Sequence, residues 1–186
     1  MEEDIFKYHR KNYIEQGEIY FWTATINNWM QLLQDDKYRE IIINSLQYLS
    51  DAGKVDVFGF VLMPNHIHLI WRTLELNGKE TAQGSFLKYT AHEFKKLLIK
   101  NSSPDLKKYV VQENNKKYEF WKRDSLAVIL YTKDVAFQKL DYIHHNPTAG
   151  KWSLVPDPCD YKYSSAAYYK LGIKKFNFLK DLRVEF

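Results

Sequence analysis

Runs of apolar residues with two different periods divide the chain into predicted strands and helices. Residues 19–26, 55–62 and 66–72 are rich in aromatic and β-branched side chains, which favours β-strands. Within 36–50 and 83–100 the apolar positions recur mostly three and four residues apart, which is typical of helices with one buried face. The first half of the chain is therefore predicted to run strand, helix, strand, strand, helix.

The second half has a polar interval followed by one more strand and helix. Residues 101–117 are polar and basic without a clear period, so we expect a flexible loop there. A fourth strand is predicted within 119–130. A helix is predicted from 133 to about 145, where the Asn146-Pro147 pair would end it because the residue before proline is disfavoured in a helix.

This order of elements fits an α+β fold, the ferredoxin-like sandwich, in which helices cover one face of an antiparallel sheet. A chain of 186 residues is long enough for one proper hydrophobic core. We expect a single domain over 1–186, with a core at about 19–147 and a C-terminal extension over 148–186.

The amino-acid composition mainly excludes certain features, such as disulfides and membrane spans. Hydrophobic residues make up 45% and charged residues 27%, as is ordinary for a soluble globular protein. The single cysteine, Cys159, cannot form an internal disulfide or a thiolate metal cluster. The acidic stretch at 1–4 does not resemble a signal peptide, and no apolar run approaches the roughly 20 residues of a membrane span. We expect a cytoplasmic protein with no membrane partner.

Positive charge is concentrated between Lys95 and Asp124. Nine basic and four acidic residues give this segment a charge of +5, against +4 for the whole chain. Aromatic residues are interleaved with the basic ones, a pattern that suits binding to the backbone and bases of a nucleic acid; the alternative is a basic loop that contacts only solvent. The predicted DNA-binding side chains are Lys95, Lys96, Lys107, Lys108, Lys116, Lys117, Lys122 and Arg123.

Two histidines, His66 and His68, interrupt the apolar run 61–71. Residues two apart on a strand share a face and lie about 6–7 Å apart, so the two imidazoles are predicted to stand side by side. Neutral imidazoles are good nitrogen ligands for a divalent ion. The spacing alone names no chemistry, because surface pairs are common and metallohydrolases and cupin-like barrels use it as well.

The residues around the pair resemble a known motif. The run Met63-Pro64-Asn65-His66-Ile67-His68 is similar to the HUH motif (His, hydrophobic residue, His) of the IS200-like single-tyrosine transposases. Three later segments match that family in order. Residues 120–124 resemble the Trp-Gln-Arg run of transposases associated with repetitive extragenic palindromes (REP), 141–147 resemble its Tyr-Ile-x-x-Asn-Pro segment, and 160–165 its Asp-Tyr-x-Tyr-Ser-Ser segment.

The resemblance implies a function and a set of partners. It implies a ferredoxin-like fold with His66 and His68 on a central strand as ligands of Mg²⁺ or Mn²⁺. It also implies a DNA transposase, which cleaves and rejoins single-stranded DNA near a hairpin. In that family a tyrosine attacks the phosphorus and becomes joined to the 5′ end. Some members are dimers that exchange tyrosine helices and others act as monomers, so a homodimer is one expected state.

The nucleophile is the point where this sequence departs from the family. Alignment on Trp121 puts Ser125 where the tyrosine is expected. Tyr131 is the first candidate, because it precedes a predicted helix whose N-terminus would stabilise a phenolate. Tyr142 is the second candidate and Tyr118 a third.

The third metal ligand and the activity itself stay open. Gln138, about two helical turns beyond Tyr131, is the predicted third ligand. A transposase-derived protein that lost its nucleophile at Ser125 would still bind hairpin DNA through the basic segment. An unrelated metallohydrolase is a further alternative, although that chemistry would favour an acidic residue near the histidines, and Asn65 is not one.

Overall fold

The computed structural model describes residues 14–113, 116–123 and 125–186. The strands are β1 (Ile19–Thr25), β2 (Val55–Met63), β3 (His66–Thr73), β4 (Val110–Glu113), β5 (Lys116–Tyr118) and β6 (Leu126–Ile129). The α-helices are α1 (Asp36–Asp51), α2 (Ala82–Lys100), α3 (Lys133–His145) and α4 (Ala166–Leu171).

Four strands form an antiparallel sheet in the order β2-β3-β1-β6. With α1 between β1 and β2 and α2 between β3 and β6, the connectivity is the βαββαβ arrangement of the ferredoxin-like fold. The predicted fold class is confirmed. His66 and His68 lie on β3, which has a neighbouring strand on each side, as the resemblance implied.

One face of the sheet is covered by α1 and α2. The rings of Trp22 and Trp71 lie 5.9 and 6.3 Å from that of Phe86 on α2. Tyr38 of α1 contacts Phe94 of α2 at 5.8 Å. Each of these aromatic side chains removes a large apolar area from water, so this layer forms the main core.

The opposite face is covered by α3. All nine residues of β2 are buried, so this strand needs cover on both of its faces. Gly59 makes the close approach of α3 possible, because a Cβ atom there would lie only 2.6 Å from Leu140 Cδ1 and 3.3 Å from Ile143 Cδ1. The prediction of helices on one face holds for α1 and α2, whereas α3 lies on the other face.

The interval predicted as a flexible loop contains regular structure, so that prediction is wrong for its described residues. A 3₁₀ helix, Pro104–Tyr109, is followed by an antiparallel ribbon of β4 and β5. Tyr109 is buried, and its ring stacks on Phe120 at 4.6 Å. The sequence shows no clear hydrophobic period here because the 3₁₀ segment and the strands are short. They are held in place by a few aromatic contacts.

The C-terminal extension returns to the free edge of β2. Ser164 and Leu179 form bridges with Val61 and Val57 of that strand. Such contacts cover main-chain groups that an edge strand would otherwise expose. No helix among the described residues is long and apolar enough to cross a membrane.

Candidate functional site

His66 and His68 project from β3 on the sheet face that α3 covers. Their ring centroids are 4.7 Å apart, with an angle of 74° between the ring planes. Thr25 and Thr23 of β1 lie opposite them in the register of the sheet. Because β3 is hydrogen-bonded on both sides, the backbone beneath the pair is held rigidly.

A neighbouring polar side chain contacts the Nδ1 atom of each histidine. Nδ1 of His66 lies 2.6 Å from Asn65 Oδ1, and Nδ1 of His68 lies 2.7 Å from Thr23 Oγ1. When Nδ1–H donates to these oxygens, the lone pair is on Nε2. Partners of this kind fix the ring orientation of metal-binding histidines.

The surroundings keep both imidazoles neutral at physiological pH. Burial, together with the positive charge of Lys151, lowers the pKa of His66 from 6.5 to about 4. Burial lowers the pKa of His68 to about 3, and His66 and Lys139 contribute in the same direction. The neutral imidazole is the form that can donate its lone pair to a metal ion.

The donor set fits a divalent ion held by two nitrogens. Within the described ranges no group of three or more His, Cys, Asp and Glu side chains is placed to hold a metal. Imidazole suits Mn²⁺ better than Mg²⁺, which prefers oxygen ligands.

Gln138, the predicted third ligand, is not brought to the histidines. It lines a groove with Asp141, Tyr169 and Lys170 on one flank of α3. Lys139, the next residue, is on the flank that faces the histidine pair, because its ammonium lies 5.2 Å from the Phe21 ring that stacks on His68. Successive residues of a helix are rotated by about 100° about its axis. The spacing from Tyr131 alone therefore could not show which flank of α3 carries Gln138.

Tyr142 is the candidate nucleophile that the structure brings to the pair. Its ring lies 5.6 Å from that of His68 and 6.1 Å from that of Phe21. The side chain is 50% exposed, and Lys139 Nζ lies 5.8 Å from the ring. Asn146 Nδ2 donates to the main-chain carbonyl of Tyr142 at 3.3 Å, so the Asn of the Tyr-Ile-x-x-Asn-Pro segment contacts the backbone and not the phenol.

Tyr131, the first candidate from sequence, lies at the other end of the sheet. It follows β6, where the Leu130 amide donates to the Ile19 carbonyl at 2.8 Å. Ile19 begins β1, whereas Thr23, opposite His68, is four residues further on, or about 13 Å along a strand. The side chain is 70% exposed. Proximity to a helix start does not put Tyr131 near the histidines.

Ser125 and Tyr118 also lie away from the pair. Gln83 Nε2 of α2 donates to Ser125 Oγ at 2.7 Å, which turns this hydroxyl toward the sheet face opposite the histidines. Tyr118 is on the β4–β5 ribbon, where its ring lies 5.1 Å from Lys95 Nζ and 5.6 Å from Lys117 Nζ.

The predicted DNA-binding side chains differ in how much charge they can offer. Among the described residues, ion pairs join Lys96 to Glu93, Lys108 to Asp105, and Arg123 to Glu119. Such a pair offsets part of the positive potential. Lys107 is exposed. The side chain of Lys116 lies outside the described part of the structure.

Sequence reasoning missed two tryptophans, Trp152 beside His66 and Trp29, whose main-chain carbonyl accepts a hydrogen bond from Asn65. Trp29 is 59% exposed, and Lys122 Nζ lies 5.5 Å from its ring. The Trp152 ring lies 6.1 Å from that of His66 and carries Lys151 Nζ at 5.3 Å. Lysine over an indole face is a cation–π arrangement. In the sequence, the only sign of such an arrangement is that Lys151 and Trp152 are adjacent.

Comparisons with known proteins support the architecture. No protein-family model matches the sequence, and a search of curated proteins found no significant match. Among solved structures, a REP-associated tyrosine transposase bound to a REP hairpin superimposes with a TM-score of 0.57 at 16% sequence identity. The match covers 96% of this chain and 90% of the other. At this identity the likeness establishes the fold, and it includes most of the C-terminal extension.

Proposed function

We propose that this protein cleaves and rejoins single-stranded DNA next to hairpins, as a transposase of the single-tyrosine type. His66 and His68 would hold Mg²⁺ or Mn²⁺ through Nε2, and Tyr142 would be the nucleophile. The observation that carries the proposal is the 5.6 Å approach of the half-exposed Tyr142 ring to His68. The likeness in fold to a transposase whose structure was solved with a hairpin supports the choice of DNA as substrate.

The proposed chemistry is a transesterification at phosphorus. A divalent ion bound at the histidines would supply positive charge to a phosphate oxygen. The phenol oxygen of Tyr142 bonds to phosphorus while the bond from phosphorus to the 3′ oxygen breaks. The phenol proton is lost to solvent, and the departing oxygen takes up a proton. The products are a 5′-phosphotyrosine and a free 3′-hydroxyl, and attack by another 3′-hydroxyl reverses the step.

The chain's own residues would orient the strand. Lys139, whose ammonium lies 5.8 Å from the Tyr142 ring, would attract the phosphate under attack. Lys122 and Lys151, over the two tryptophan rings, would contact neighbouring phosphates. His68 and Tyr142 belong to the same chain, so the proposed reaction does not require the homodimer that remained one expectation from sequence.

One alternative has an observation of its own. Ser125 occupies the position where the family has its nucleophile, and its hydroxyl contacts Gln83 on the other face of the sheet. A transposase-derived protein that only binds hairpin DNA would have this arrangement. In that case Tyr142 would be a packing residue, and the basic side chains would still bind the DNA backbone.

A trapping experiment separates the two. The protein is incubated with Mn²⁺ and a labelled hairpin that has single-stranded flanks, taken from the DNA beside its own gene, and then run under denaturing conditions. A denaturant-resistant adduct that maps to Tyr142 and is lost in His66→Ala supports the enzyme. Salt-sensitive binding without an adduct supports the binding protein. If neither occurs, both proposals fail.

A further inference from the structure

Asn65 is a buried amide between His66 and a turn of the chain that follows β1. It is the second residue of the two-residue turn that joins β2 to β3, and it is only 4% exposed. Its Oδ1 lies 2.6 Å from His66 Nδ1, and its Nδ2 lies 3.3 Å from the main-chain carbonyl oxygen of Trp29. One side chain therefore joins a proposed metal ligand to a backbone group of another segment.

The Trp29 carbonyl decides which way this amide faces. A carbonyl oxygen can only accept a hydrogen bond, so the amide atom next to it must be the donor, Nδ2. Oδ1 is then the atom directed at His66, and an amide oxygen can also only accept. His66 Nδ1 must therefore carry the proton, which leaves the lone pair of the neutral ring on Nε2.

The contact of His68 is of a different kind. Its Nδ1 lies 2.7 Å from the hydroxyl of Thr23. A hydroxyl can donate or accept, so this contact is compatible with a proton on either ring nitrogen. The two histidines look equivalent in the sequence, yet the partner of His66 fixes its tautomer and the partner of His68 leaves the tautomer open.

The position of the Trp29 carbonyl depends on an unusual backbone conformation. Trp29 and the residue before it have φ angles of +57° and +53°, which non-glycine residues seldom adopt. Such a conformation persists only where the surrounding structure enforces it. Here the Ile26 amide donates to the Asn65 carbonyl at 2.8 Å, and the Asn27 amide donates to the Phe120 carbonyl at 2.7 Å. The turn is therefore anchored to the histidine hairpin on one side and to the basic segment on the other.

We propose that Asn65 is a positioning residue that, oriented by the Trp29 carbonyl, holds His66 with the Nε2 lone pair available to a divalent ion before any ion binds. The ion then binds without a change of tautomer at His66, whereas His68 adopts the tautomer that the bound ion requires. A ligand that is already oriented favours metal binding, because less order has to be created when the ion arrives. This inference rests on the metal site of the proposed function and names the residue that orients it.

The tautomer can be measured in the metal-free protein by long-range ¹H–¹⁵N NMR of the histidine rings at about pH 8, where both imidazoles are neutral. A ring nitrogen that carries a proton differs clearly in ¹⁵N shift from one that does not, and the spectrum of His66→Gln identifies the His66 signals. We expect the wild-type His66 proton on Nδ1. Asn65→Ala should move a large part of it to Nε2, whereas Asn65→Asp keeps an acceptor and should keep the wild-type tautomer.

A matched control removes another hydrogen-bonded amide. Asn77, beyond the other end of β3, donates to Ser85 Oγ at 2.7 Å and is also partly buried. Asn77→Ala should therefore leave the His66 signals as they are in the wild type. A change as large as that in Asn65→Ala would mean that the spectrum reports general loosening of the fold, and the positioning role would be overturned.

Two variants of Trp29 test the turn itself. Trp29→Gly and Trp29→Val both remove the indole, but glycine adopts a positive φ readily and the β-branched valine resists it. The glycine variant should keep the wild-type tautomer of His66 and the valine variant should lose it, while thermal melting confirms that each is folded. Identical spectra for the two variants would overturn the role of the turn.

Calorimetric titration with Mn²⁺ measures the consequence for metal binding. Asn65→Ala should bind Mn²⁺ about 10- to 100-fold more weakly than the wild type, and Asn65→Asp should retain most of the affinity. A wild-type His66 proton on Nε2, or unchanged Mn²⁺ affinity in Asn65→Ala, overturns the positioning role. Absence of Mn²⁺ binding by the wild type overturns the metal site of the proposed function instead. The two failures are distinguishable because the tautomer is measured without metal.

Discussion

Tyr142 of α3 and His68 of β3 have ring centroids 5.6 Å apart, with an angle of 63° between the ring planes. The contact joins a helix and a central strand that are separated by more than 70 residues in the chain. It exists because α3 covers the sheet face opposite α1 and α2, where Gly59 lets the helix come close. The proposed nucleophile and metal ligands meet only through this packing.

The first prediction concerns which tyrosine reacts. Tyr142→Phe removes the phenol oxygen but keeps the ring against Phe21 and His68, so the adduct with hairpin DNA should fall below detection while DNA affinity is unchanged. Tyr131→Phe is the control, because its side chain lies near the far end of the sheet, and it should form adduct normally. Adduct formation by Tyr142→Phe would remove this residue from the mechanism.

The second prediction concerns the hydroxyl that contacts His68. Thr23→Val keeps the shape of the side chain but removes the 2.7 Å partner of His68 Nδ1. Loss of such an orienting contact typically lowers metal affinity by about 10- to 100-fold, which titration with Mn²⁺ followed by calorimetry can measure. Thr148→Val, which removes a partly exposed hydroxyl that donates to the His145 carbonyl beyond α3, is the control. If both variants bind Mn²⁺ as the wild type does, Thr23 has no orienting role.

The third prediction concerns salt dependence. Lys117 and Lys122 lie over aromatic rings, whereas Lys96 and Lys108 are paired with acids in the chain. Lys117→Ala/Lys122→Ala should weaken binding to hairpin DNA and reduce the slope of log K against log salt by about 1 to 2. Lys96→Ala/Lys108→Ala should change the slope less. The opposite order would mean that DNA lies against α2 and the 3₁₀ helix that follows it.

The fourth prediction concerns pH and the C-terminal extension. Burial opposes ionisation of Asp56, but hydrogen bonds from Lys180 and Arg72 hold its pKa below the ordinary value of 3.8. The carboxylate therefore contributes stability that is present above that value and is lost as the pH falls through the lower pKa of the folded state.

Asp56→Asn should lower the free energy of unfolding at pH 7 by about 2 kcal/mol, because hydrogen bonds to a charged group are lost. The difference from the wild type should shrink below pH 3.8, as urea titrations at several pH values would show. Asp51→Asn, at an exposed residue, is the matched control. A difference that persists unchanged in acid would argue against ionic stabilisation here.

The fifth prediction concerns the contact of Gly59 with α3. Gly59→Ala adds a methyl group 2.6 Å from Leu140 Cδ1, and overpacking of this kind costs about 1–3 kcal/mol. Leu140→Ala removes the obstructing atom, so the double variant should be less destabilised than the sum of the two single variants. Denaturant unfolding of the four proteins measures this coupling. Strict additivity would mean that the cost of Gly59→Ala does not come from its contact with Leu140.

Local pattern was enough for the fold class and for the placement of the histidines. The period of two in β3 puts His66 and His68 on one face whatever surrounds them, and the order of the elements predicts the ferredoxin-like connectivity that the structure has. The ribbon of β4 and β5 escaped prediction, because strands of three or four residues held by Tyr109 and Phe120 leave almost no periodic signal.

The sequence by itself therefore determined which residues share a strand face and in what order the elements follow, since both depend on neighbours along the chain. Only the tertiary structure decided that Tyr142 and not Tyr131 approaches His68, that Gln138 turns toward a different groove, and that Ser125 contacts Gln83. These relations depend on the rotation of α3 about its axis and on the end of the sheet at which a residue lies. Packing between elements distant in the chain sets both.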